Sequence, residues 1–202
     1  MKNMKKLMAT AMVVAAATST PALAMDFNPY VGLDYAYGNA NYKSQSGVSG
    51  DDIFGNDFHG VNPYIGAQVH ENVSVELGYL ETGRKSKSFD AALLGGAGTA
   101  TTETKLKGFH IDAVGNIPLT DKFDLLGNIG LARFKADVDI PVGGGATINT
   151  SDTDTAWRLG AGGLYSVSES IKIRSMARYN IVDWDDTAKG FWQLSAGLQY
   201  RF

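Results

Sequence analysis

The last twelve residues, Phe191 to Phe202, constrain the fold more than any other stretch. Their even positions are Trp192, Leu194, Ala196, Leu198, Tyr200 and Phe202, and their odd positions are Phe191, Gln193, Ser195, Gly197, Gln199 and Arg201. Side chains alternate between the faces of a strand, so one face is a continuous apolar stripe and the other is mostly polar. Six such positions span roughly 30 Å, enough for a tilted strand to cross a bilayer. Aromatic residues close both ends of the stripe.

The same period of two recurs upstream. A first segment sets Phe27, Pro29, Val31, Leu33, Tyr35 and Tyr37 against Asn28, Tyr30, Gly32, Asp34, Ala36 and Gly38. A second carries Val61, Pro63, Ile65 and Val69, and a third carries Val73, Val75, Leu77 and Tyr79. Phe109, Ile111, Ala113 and Ile117 mark a fourth. A fifth (Phe123, Leu125, Ile129, Leu131) alternates imperfectly, which admits a bulge. Trp157 to Val167, Ile171 to Tyr179 and the terminal stripe complete eight. Polar, Gly-rich stretches at 39–57, 82–104, 137–154 and 181–190 read as long loops, and very short turns join the remaining pairs. Long loops at one end and tight turns at the other predict an all-β, eight-stranded, antiparallel up-and-down transmembrane β-barrel. A lipocalin-like barrel would carry charges outward. Here the polar faces are crowded with Gly, Ser and Asn instead, which suits a narrow interior.

The start of the chain supports export. Lys2, Lys5 and Lys6 precede an apolar run from Leu7 to Ala17, and Ala22-Leu23-Ala24 follows, the layout of a signal peptide over 1–24 with the barrel over 25–202. The mature chain then has 15 basic against 21 acidic residues, a net charge of −6, which argues against nucleic acid as a partner. With no cysteine, there is no disulfide and no thiolate metal site.

The terminal aromatic strand, the eight alternating segments and the leader together resemble the small eight-stranded outer-membrane β-barrel proteins of the OmpA/OmpX type, a porin-like family of the Gram-negative cell envelope. The resemblance implies an outer-membrane location and a lipid and lipopolysaccharide environment. It also implies that Trp192, Leu194, Leu198, Tyr200 and Phe202 form the signal read by the barrel assembly machinery. The implied role is structural or adhesive, through four extracellular loops that meet a host or surface ligand. The alternatives are a narrow channel for ions or small solutes and, less favoured, a lipid-modifying enzyme.

The alternation turns Asp34, Glu76, His110, Asp112, Arg158, Lys172, Arg174, Arg178 and Arg201 inward. Eight strands leave an interior just filled by side chains, so these charges must pair across it. Glu76 and Arg158 are expected to lie in this network, with Asp112 and Arg174 as neighbours. In the OmpA type a Glu–Arg pair gates the lumen; here the two residues match by type and facing only. No catalytic, cofactor or metal site is predicted. His110 and Asp112 share a face without a patterned nucleophile, and the loop aspartates lack calcium-loop spacing. Arg84, Lys85 and Lys87 form a basic cluster suited to lipopolysaccharide phosphates.

Overall fold

The computed structural model describes residues 28–42, 44–45, 48–49, 56–90, 98–142, 146–184 and 188–202. The predicted leader, 1–24, lies outside them. The strands are β1 (Asn28–Tyr42), β2 (Ser44–Gln45), β3 (Val48–Ser49), β4 (Asp57–His70), β5 (Val73–Thr82), β6 (Lys85–Asp90), β7 (Thr99–Thr120), β8 (Phe123–Val142), β9 (Ala146–Ser166), β10 (Ile171–Trp184) and β11 (Ala188–Arg201).

Eight of them form a closed ring. The order runs β5-β4-β1-β11-β10-β9-β8-β7, and β5 pairs with β7 to complete the circle. Every pair is antiparallel. Closure satisfies each strand's backbone on both sides, the condition for a sheet that stands in hydrocarbon. The terminal strand supplies the seam: Leu33 lies opposite Leu198, Tyr35 opposite Ala196 and Tyr37 opposite Leu194.

The exposed face is apolar throughout its middle. Leu33, Ile65, Leu77, Ile111, Ile129, Leu159, Ile173 and Leu198 all point outward. Two aromatic girdles bound this band. Phe123, Tyr165, Tyr200 and Phe202 lie near the chain's termini, and Tyr35, Tyr37, Tyr79, Phe109, Trp157, Tyr179 and Trp192 lie toward the opposite end, called the far end below. Amphipathic rings favour such levels, where one side is apolar and the other wet.

Inward glycines make room for rings. Tyr64 lies over Gly32 and Tyr30 over Gly66, each occupying the space that a Cβ on the opposite glycine would need. The two rings meet edge to face at 6.3 Å.

Several expectations are corrected. The expected loop at 137–154 is a hairpin, because β8 runs to Val142 and β9 resumes at Ala146. Strand also covers 85–90 and 99–104 within the second expected loop, and 181–184 and 188–190 within the fourth, whose residues 185–187 lie outside the described ones. Beyond the girdle neither face must be apolar, so the period of two vanishes although the pairing continues. The one register shift between β7 and β8 lies between Pro118 and Thr120, and β8 pairs with β9 without a shift, so the imperfect alternation at Leu125 and Leu126 is not a bulge. It arises because Leu126 faces inward, where it packs with Val114, Leu164 and Met176.

Candidate functional site

The lumen is built in layers, starting from the termini. Lys172 Nζ lies 3.9 Å from Asp124, and Arg201 donates to Gln68 Oε1 at 3.1 Å. A cavity of about 30 Å³ remains there, bounded by Tyr30, Glu76, Gln199 and Lys172, room for about one water.

The next layer is organised by Arg174. Its Nη1 donates to both oxygens of Glu76, at 2.7 and 2.9 Å, and its Nη2 donates to Asp34 Oδ2 at 2.7 Å. The guanidinium stacks 3.6 Å above the Tyr64 ring, and Tyr30 Oη donates to Glu76 Oε1 at 2.9 Å. These groups are essentially solvent-free. The planar fork of arginine suits this task, since one cation holds two carboxylates from β1 and β5.

The third layer holds His110, Asp112, Arg158 and Arg178, all buried. His110 Nε2 lies 2.8 Å from Asn62 Oδ1, and its Nδ1 lies 3.0 Å from Asp112. Arg158 Nε is 3.7 Å from Asp112 Oδ1, and Arg178 donates to Ser195 Oγ at 2.9 Å. Glu76 and Arg158 both lie in the lumen but in different layers: Glu76 is taken by Arg174, and Arg158 faces Asp112. Alternation predicts which way a side chain faces but not its height along the barrel. Ser195 contacts Asp34 and Arg178, and among the described residues no hydrogen bond joins a serine to the His110–Asp112 pair.

An apolar layer closes the far end. Ala36, Leu80, Leu106, Ala132, Phe134, Ala156, Val182 and Phe191 form one buried cluster. Phe191 packs edge-on against Phe58 at 5.4 Å and Phe134 at 5.2 Å. The polar-face reading missed this plug. Phe134 and Phe191 fall on inward positions of the alternation, which is the signal that could have found it.

Past the plug, β6, β7, β8 and β9 continue as an open sheet. From the level of Arg133 and Thr155 up to the Val142–Ala146 pair, it rises about 30 Å. Among the described residues, β9 pairs with β10 only from Trp157 onward, leaving 147–155 as an edge. Asp152 and Asp154 cap that edge locally, accepting from the N–H groups of Thr153 and Thr155 at 2.8 and 2.7 Å.

The base of this sheet is laced with ion pairs. Lys105–Glu81 is 2.6 Å, Lys85–Asp57 is 2.8 Å, and Arg84 reaches Asp139 at 2.8 Å and Glu103 at 3.2 Å. Among the described residues no cluster of three His, Asp or Glu side chains suits a metal, and Asp51 and Asp52 lie outside them. Hydrogen bonds from Lys107 and Lys135 hold the Asp137 carboxyl below the usual carboxylate range. A depressed aspartate stabilises the fold fully above its unfolded value of about 3.9, and that contribution is lost as pH falls through the folded pKa. Amide-exchange protection around 134–138 is expected to fall selectively below about pH 4. In Asp137→Asn, protection is expected to start lower and to lose this step.

The model of the outer membrane protein beta-barrel domain family matches residues 8–202. Outer membrane protein A of Shigella flexneri is 29% identical over 147 residues, which is 71% of this chain and 40% of that protein. The chain thus spans less than half of that curated relative. Among solved structures, Neisserial surface protein A superposes with a TM-score of 0.62 at 19% identity, covering 86% of this chain and 97% of that one. Ail, the attachment invasion locus protein of Yersinia pestis, solved with the heparin analogue sucrose octasulfate, gives 0.56 at 17% identity over 88% and 100%. The outer membrane protein OprG of Pseudomonas aeruginosa gives 0.56 at 13% identity over 88% and 97%. At these identities the structural likeness is one of fold.

Proposed function

The chain belongs to the outer membrane protein beta-barrel domain family, and from that premise we propose that it acts by surface contacts made through its protruding sheet. Its place is the outer membrane of a Gram-negative cell, with the far end outside. The observation that carries the reading is the contrast between a filled lumen and a long external sheet. Phe134 and Phe191 close the outer mouth of the barrel, and the Asp34–Arg174–Glu76 cluster fills the middle. A hydrophobic constriction excludes ions by dewetting, so conduction would require the plug to part.

Meanwhile β8 and β9 are paired well above the girdle, and the unpaired stretch of β9 offers backbone groups to an extended segment of a partner. That Ail was solved with a polyanionic heparin analogue supports surface recognition as a use of this fold. The reading assigns no catalytic role. The terminal stripe ending at Phe202 is proposed as the segment presented to the assembly machinery.

The test pairs two measurements. Planar-bilayer recordings of the wild-type chain are expected to show no discrete openings. Replacing 138–150 by Asn-Gly, which joins the Asp137–Ser151 pair through a tight turn, is expected to leave the barrel folded. Cells displaying that variant are expected to attach to immobilised extracellular-matrix proteins no better than cells lacking the chain. Unchanged attachment, or steady conductance by the wild type, would overturn the proposal.

A further inference from the structure

The lumen layer between the Arg174 cluster and the plug holds two guanidiniums side by side. Arg158 and Arg178 are both fully buried. Arg158 lies opposite Asn180, while Arg178 lies opposite Gly160 on one side and Gln193 on the other. The two arginines are therefore diagonal neighbours on β9 and β10, about 7–8 Å apart in such a ladder and within reach of one another for long side chains. Asn128, on β8, faces the same Gly160.

Their charge is only partly met. Arg158 Nε lies 3.7 Å from Asp112 Oδ1, beyond hydrogen-bond length, and none of the three Arg158 nitrogens donates to a described residue. Arg178 uses one N–H on Ser195, and its Nε and Nη2 donate to none. Asp34 reaches Arg178 only through that serine, since Arg174 already holds its Oδ2 at 2.7 Å. With Asn128 Nδ2 and Gln193 Nε2, seven nitrogens on this wall are left without acceptors among the described residues, against three amide oxygens, of Asn128, Asn180 and Gln193. Buried donors are costly to leave so, charged ones most of all. The glycines of the wall keep the charges from closing on each other. Asn128 and Arg178 fill the space beside Gly160, and Asp112 fills that beside Gly130, so Asp112 and Arg178 lie against the wall instead of meeting across it.

We infer that Arg158 and Arg178 hold a buried chloride, with the amide N–H groups of Asn128 and Gln193 completing its shell. A halide only accepts, from any direction, and its charge opposes that of the two guanidiniums; a water would add donors to a wall already rich in them. The chamber is closed on both sides. Phe134 and Phe191 seal it toward the plug, and Arg174 stacked on Tyr64 seals it toward the termini. The ion is therefore enclosed as the ring closes and leaves only when the ring opens. The site is independent of whatever the protruding sheet contacts.

The test folds the full chain into lipid vesicles in sodium bromide, or in sodium gluconate of equal ionic strength, and then moves both samples into one gluconate buffer. Bromide stands in for chloride, and gluconate is too large for the chamber. The bromide-folded barrel is expected to unfold in urea roughly tenfold more slowly, a memory of the folding salt that a general salt effect cannot leave. Crystals of it are expected to show one bromine anomalous peak in contact with Arg158 and Arg178. Asn128→Asp, which supplies a carboxylate in the ion's place, is expected to fold, to retain no bromide and to unfold at one rate whichever salt it was folded in. Equal unfolding rates of wild type from the two folding salts, or ordered water in place of the anomalous peak, would overturn the inference. Bromide retained by Asn128→Asp as fully as by wild type would overturn it as well.

Discussion

Arg174→Gln is expected to destabilise the barrel by about 3–5 kcal/mol, the range for breaking a buried ion cluster by removing one member. Arg174 is the cation for both Asp34 and Glu76, and all three are shielded from solvent. Its loss leaves two carboxylates facing each other in a narrow lumen, where desolvation and like-charge repulsion act together. Tyr30 Oη and Ser195 Oγ still donate to them, at 2.9 and 3.4 Å, but neither carries charge. Urea unfolding in lipid vesicles, followed by gel migration, measures the change. The triple variant Asp34→Asn, Glu76→Gln, Arg174→Met is expected to regain most of the lost stability, since it removes the charges as a set. A single variant within about 1 kcal/mol of wild type would mean that water hydrates this layer and the cluster is not structural.

Leu159→Arg is expected to cost about 1–2 kcal/mol, between the values for a cation on the lipid face at the bilayer midplane and near its interface. Leu159 points outward, lies opposite Ile129 and Tyr179, and sits between Trp157 in one girdle and Tyr165 in the other. Thr153→Arg, outward on the same strand beyond the girdle, is expected to stay within about 0.5 kcal/mol, as for an ordinary surface change. The contrast reads out the membrane boundary directly. Equal effects at the two positions would mean that the aromatic rows do not mark the edges of the hydrocarbon.

The two variants also separate what could be read in advance from what could not. Leu159 was legible: every second residue from Trp157 to Val167 follows the same pattern, and the pattern exists because a bilayer demands it. The inward direction of Asp34, Glu76 and Arg174 was legible by the same rule. Their pairing was not. Arg174 is on β10 and its partners are on β1 and β5, across the lumen and far apart in sequence. Which side chains meet there depends on the stagger between strands and on how far each chain reaches. Glu76 and Arg158 share the lumen without meeting, since Arg158 lies opposite Gly130 and Asn180, one layer nearer the plug. The apolar plug was half legible, with Phe191 and Phe134 on inward positions but no local sign that they converge.

By itself, the sequence determined the strand class, the two faces, the antiparallel order and the end that bears the long connections. All of these follow from the period of two and from the spacing of turn residues, which are local properties. Only the tertiary structure decided the ion partners, the position of the plug and the upward continuation of β7, β8 and β9. Inside the ring, contacts join strands distant in the chain, and stagger selects among them. Above the girdle, water reaches both faces of β9 along 149–155, so this Thr- and Asp-rich stretch carries no hydrophobic period and is held by backbone pairing alone.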